Sequence, residues 1–153
     1  NIISSDVPGE VIAGIIDILP ADEDEVVRFT HTSMQRRNGD VSGEKVPFNH
    51  EGIVVLLSNR LYLLGMGVDS DGAYMRPMTL RAPDHPAEKP MVGTVSTETH
   101  RNEPFSSKTV LLREGLHERM MKSMGEDGFR AWLLEQLKNE SKSPDIVYGW
   151  SNR

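Results

Sequence analysis

The sequence predicts an α+β domain: an antiparallel meander forming a strongly bent sheet or partial barrel, with C-terminal helices. Three observations carry that expectation. Short apolar or alternating stretches, separated by Gly, Pro, Asn and Asp turn signals, follow one another from residue 11 to residue 113. The hydrophobic period then changes from 2 to 3.6 near residue 115. The chain has 153 residues, 37% of them hydrophobic. That size suits one core and buries roughly 70% of the surface the unfolded chain exposes. A single α+β domain is therefore expected over residues 1–138, with a tail over 139–153.

The elements follow in order. Residues 11–19 lie between Pro8-Gly9 and Pro20 and are rich in β-branched side chains, which favours a strand. Residues 21–25 form an acidic turn. From 26 to 35, Val27, Phe29 and His31 alternate with Arg28, Thr30 and Thr32, the period of a half-buried strand. Residues 36–47 read as a polar loop with hairpin chemistry at Asn38-Gly39-Asp40 and Ser42-Gly43. The apolar run 52–57, a tight turn at Ser58-Asn59-Arg60 and the return 61–68 make a hairpin. A further strand covers 73–81, where Pro77 implies an edge position or a bulge. Residues 82–90 hold three prolines and read as a loop; 91–99 and 109–113 read as strands about a turn at 101–106. A meander of this length tends to curl, because closure hides its edges.

Two helical stretches end the domain, 115–124 and 126–138. In the second, Phe129, Trp132, Leu133 and Leu137 form an apolar stripe expected to plug or flank the sheet. Residues 145–150 could return as a short strand or lie loose.

Composition excludes several functions. Cysteine is absent, so no disulfide, thiolate metal site or cysteine nucleophile exists. Net charge is −6, from 17 basic and 23 acidic residues, and the basic residues are scattered. Nucleic-acid backbones demand clustered Lys and Arg, so nucleic acid is expected only through a separate domain. The run 52–57 is far too short to cross a bilayer. No basic-then-apolar signal precedes the domain, and the chain starts at Asn1; a cytoplasmic segment of a longer protein is expected.

No residue pattern names a reaction. The histidines (His31, His50, His85, His100, His117) show no H-x-H or H-E-x-x-H spacing, and no metal or cofactor is expected. His31 and His50 become neighbours if strands 26–35 and 52–57 pair; the bland reading of His31 is a hydrogen-bonded barrel-interior residue. Asp69-x-Asp71-Gly72 resembles a piece of a calcium loop, but its twelfth position is Leu80, so a turn is the better reading. Gly65-x-Gly67 lacks a third glycine and a following helix, which favours a bulge or bend over a phosphate cradle. No G-x-S-x-G elbow occurs. An enzymatic alternative pairs His31 or His100 with Glu98 or Glu103. Eight methionines are present; Met66, Met75, Met78 and Met91 lie on or beside the meander, where flexible thioethers fill a core or an adaptable cavity. Met120, Met121 and Met124 could line a partner interface.

The order of motifs is familiar. Pro8-Gly9-Glu10-Val11-Ile12, Val26-Val27-Arg28-Phe29-Thr30-His31 and Glu51-Gly52-Ile53-Val54 come first. Arg60-Leu61-Tyr62-Leu63-Leu64-Gly65, Met75-Arg76-Pro77-Met78-Thr79-Leu80, Met91-Val92-Gly93-Thr94-Val95-Ser96 and Thr109-Val110-Leu111-Leu112-Arg113 follow. Over residues 8–114 this resembles the regulatory region after the DNA-binding domain in some bacterial regulators with a lambda-repressor-like (Xre-type) helix-turn-helix. The helix-turn-helix itself is absent. The resemblance implies a non-catalytic sensing or oligomerisation domain, a homo-oligomer that binds a small apolar molecule or a partner. Alternation on the strands gives Phe29, His31, Val55, Leu57, Tyr62, Leu64, Met78 and Val95 as candidate pocket liners, a set that a one-residue register error would exchange. The remaining alternative is an interaction module docking by strand addition or through the methionine-bearing helix.

Overall fold

The computed structural model describes residues 2–4, 12–36, 45–69, 72–85, 87–98 and 104–137. Among these described residues, eight antiparallel strands follow one another around a closed barrel. They are β1 (Ile2–Ser4), β2 (Ile12–Ile18), β3 (Arg28–Arg36), β4 (Lys45–Leu57), β5 (Arg60–Asp69), β6 (Gly72–Arg81), β7 (Met91–Glu98) and β8 (Pro104–Leu111); a helix, α1 (Glu114–Leu137), completes the fold. The α+β class and the strong bend are as expected. The three residues of β1, which the sequence does not announce, bridge β2 and β8 (Ile3 opposite Ala13 and Val110) and complete the ring.

Local chemistry accounts for most elements. The Ser58-Asn59 turn joins β4 to β5, with Ser58 at φ 55, and Leu57 faces Arg60 across it. Between β2 and β3, Asp22 organises the acidic turn: its carboxylate accepts from Asp24 N at 3.1 Å and Val26 N at 2.9 Å, and meets Arg28 Nε at 3.1 Å. Asp69 and Gly72 lie opposite each other on β5 and β6; residues 70 and 71 of the Asp69-x-Asp71-Gly72 motif, where a turn is expected, are outside the described residues.

Two strands differ from expectation. β4 begins at Lys45 instead of residue 52: Val46, Phe48 and His50 alternate inward with Lys45, Pro47 and Asn49 outward. Residues 45–49 pair with β3, whereas the β4–β5 ladder starts at His50, so Pro47 lies where β4 is an edge. β8 begins at Pro104, inside the segment expected to turn. Pro77 is at an edge, as expected: it faces Leu64 of β5, while the β6–β7 ladder starts at Met78 opposite Val95.

Glycines permit the curvature. A Cβ on Gly52 would stand 1.9 Å from the Leu64 carbonyl oxygen, and one on Gly93 would stand 1.8 Å from that of Thr79. Adjacent strands approach there more closely than any other residue allows.

The interior has two halves. At one end Phe29, Leu63, Met78, Leu80, Val95 and Leu111 pack together, with Ile16, Val54, Leu61 and Met91 around them. At the other end the inward positions are mostly polar. The helix flanks the barrel and does not plug it. Leu116, Phe129 and Leu133 cover Val110 and Leu112, with Val92, Met120 and Met121 beside them. Gly125 (φ 72, ψ 172) breaks the helix into two segments, where the sequence placed the division. Lys138 and the tail over 139–153 lie outside the described residues.

Candidate functional site in the polar half of the barrel

Alternation on four strands assembles the site. On β3, Phe29, His31 and Ser33 share the inward face, and all three are buried. His31 lies directly opposite His50 of β4. Their rings stack with centroids 5.3 Å apart and planes 20° apart. His50 in turn meets the edge of Tyr74 at 5.3 Å and 85°. Tyr74 and Arg76 of β6 share the parity of buried Met78, and Arg76 is buried as well. Ser107 and Thr109 of β8 are buried on the inward face that continues to Leu111.

Glycines shape the seats of these rings. A Cβ on Gly14 would come within 2.6 Å of His31 Nε2. On Gly67 it would meet the Tyr74 ring at 2.7 Å and His50 Cδ2 at 2.9 Å, and on Gly65 it would meet Phe29 Cζ at 2.9 Å. The Gly65-x-Gly67 pair is therefore neither a phosphate loop nor a bulge, since the ladder through it is unbroken. It gives up side-chain volume to aromatic rings on neighbouring strands.

The electrostatics are unusual. His31 is 2% exposed and His50 3%, and among the described residues neither nitrogen of either ring has a hydrogen-bond partner, nor does Ser107 Oγ. The expectation of a hydrogen-bonded interior residue thus holds for the place of His31 and fails for its bonding. Burial pushes His31 down to about 3, helped by the Arg76 charge and by His50. Burial and then Arg76 push His50 down to about 4. Both imidazoles are neutral at pH 7, each offering one donor and one acceptor.

Among the described residues the β6–β7 ladder is short. The β6–β7 ladder runs only between Met78–Val95 and Arg81–Val92, whereas β7 and β8 stay paired to Glu98–Pro104. Tyr74 and Arg76 thus lie beyond the end of the β6–β7 ladder.

Of the eight expected pocket liners, Phe29, His31, Met78 and Val95 face inward and are buried. Val55, Leu57, Tyr62 and Leu64 do not. Val54 lies opposite Leu63, and both belong to the core; their neighbours on β4 and β5 consequently face out, with Leu57 59% exposed. The run 52–57 has no alternation from which parity could be read. Of the enzymatic alternative, His100 and Glu103 lie outside the described residues. Arg76 and Tyr74 are not among the expected liners, although both stand at even spacing from the inward Met78.

Among the described residues no group of three or more His, Asp or Glu is placed to hold a metal ion. No described helix is long and apolar enough to cross a membrane. Comparison with protein-family models, curated proteins and solved structures returns no match.

Proposed function

We propose that this chain is a non-catalytic binding domain that holds a small molecule in the polar half of its barrel. The carrying observation is the set of buried, unpartnered imidazole nitrogens on His31 and His50. Leaving such an atom unsatisfied costs about 1–3 kcal/mol. A ligand bearing both donors and acceptors offsets that cost, so its polar end belongs at the histidines. The adjoining Phe29–Met78–Val95 cluster suits an apolar end. The expected apolar molecule thus becomes one that is polar on one side.

The depressed histidines favour binding over catalysis. A general base works best with a pKa near the operating pH, and a group at about 3 is a weak base. The resemblance to Xre-type regulators extends the proposal. Occupancy of the barrel would be read by a DNA-binding head carried on another segment, provided the ligand prefers one of two arrangements. Oligomerisation would use the outer face of β5 and β6, where Met66 lies opposite Met75 and both are more than half exposed.

Native mass spectrometry of the purified chain, repeated after denaturation, tests the binding proposal. A retained small molecule that is lost from a folded His31→Phe/His50→Phe variant supports it. An unliganded chain whose imidazole nitrogens are hydrogen-bonded to internal water, by nitrogen NMR shifts, would overturn it.

A further inference from the structure

A second site lies on the outside of the barrel. An open groove of about 510 Å³ runs across β5, β6 and β7, lined in part by Asn59, Arg60, Thr79, Arg81 and Thr94. Arg60 and Arg81 are directly opposite each other on paired strands, and so are Thr79 and Thr94. Both arginines and Thr94 are exposed. Like charges placed opposite across two strands destabilise the pair. Neither guanidinium has an ion-pair or hydrogen-bond partner among the described residues. None of the residues lining the groove is acidic.

The fold fixes this arrangement. Ala82 N donates to Asn59 O at 2.8 Å, tying the β4–β5 turn to the end of β6 and holding Arg60 beside Arg81. Gly93 brings the β7 backbone against Thr79, so backbone forms part of the groove's floor. Its walls carry two guanidinium groups, two hydroxyls and an amide, all able to donate hydrogen bonds. Arginine's planar fork matches a phosphate oxygen pair, and an anion between two arginines cancels their mutual repulsion.

We propose that this groove binds a phosphate dianion, free or as the end group of a small phosphate monoester. The site is separate from the barrel interior and does not depend on it. An open, polar groove suits a hydrated anion better than an enclosed apolar ligand, and its size admits a phosphate with a small organic group attached.

The test uses the whole chain at constant ionic strength, with chloride as the balancing salt. Inorganic phosphate and phenyl phosphate are titrated separately, by calorimetry and by their effect on the melting temperature. Saturable binding of one or both is expected, and the two arms show whether the attached group contributes. Arg60→Gln and Arg81→Gln should each weaken binding about tenfold or more. Arg130→Gln, an exposed charge on α1, should change it less than about twofold. In the absence of phosphate, the melting temperatures of the two groove variants should equal or exceed that of the parent, because a repulsion has been removed. No saturable binding by either anion overturns the proposal. So does equal weakening in all three variants, which is the behaviour of nonspecific charge.

Discussion

His31 and His50 make stability depend on pH at the level of single side chains. Unfolded histidines titrate near 6.5, and these two are held down to about 3 and about 4 by burial and by Arg76. Between those values and 6.5 the unfolded chain binds more protons than the folded one. The stability these two rings contribute is therefore fully present above pH 6.5, declines as pH drops through 6.5, and is gone once both folded values are passed. A tenfold difference in proton affinity between the folded and unfolded chain is worth about 1.4 kcal/mol, and each ring differs by more than that, so the loss amounts to several kcal/mol. Urea midpoints measured from pH 7.5 to pH 4.5 should fall steeply, and a folded His31→Phe/His50→Phe variant should flatten the slope. An unchanged slope would place the titration elsewhere. Gly67→Ala forces a methyl against Tyr74 and His50 and should cost about 1–3 kcal/mol by denaturant unfolding.

Among the elements, the paired strands around Gly52 and Gly93 tolerate the least change. A side chain on either meets backbone, which cannot swing aside. Gly93→Ala should destabilise by more than about 3 kcal/mol, at the severe end for a single substitution, and should broaden the amide spectrum of β6 and β7. Spectra matching the parent would show that the strands separate without difficulty. The helix behaves differently because it lies outside the barrel. Phe129 packs on Trp132 with centroids 5.7 Å apart and touches His117 edge-on at 5.1 Å. Phe129→Ala should cost about 3–5 kcal/mol, with its first effect on α1 protection in hydrogen exchange. Loss of exchange protection in β3 before α1 would contradict that order.

The whole molecule presents a ring whose inside is divided and whose outside is partly apolar. Met66 and Met75 form a cross-strand pair on the outer face, 53% and 62% exposed, with Leu64 beside them at 39%. If copies of the chain associate, this is the face they bury. Met66→Lys should then lower the association constant at least about tenfold in sedimentation equilibrium, while leaving ligand retention in the barrel intact. A parent chain that is monomeric at about 0.1 mM, a concentration that tests weak dimers, removes the oligomer reading and leaves the binding proposal standing.

Local segments are legible along the chain: a period of 2 through Phe29 and His31, turn chemistry at Ser58-Asn59 and Asp69–Gly72, and a helix divided at Gly125. Those signals are carried by residues close together in the chain, so they can be read there. Which side of each strand faces in depends on the closed sheet. In the run 52–57 every residue is Gly or apolar, and parity is imposed from other strands: the Phe29 ring occupies the space Gly65 leaves empty, and Val54 meets Leu63. Tertiary contacts also place three residues of β1 in the ring and join Tyr74 and Arg76 to two histidines from other strands. These depend on contacts between distant segments, and only closure of the sheet brings them together.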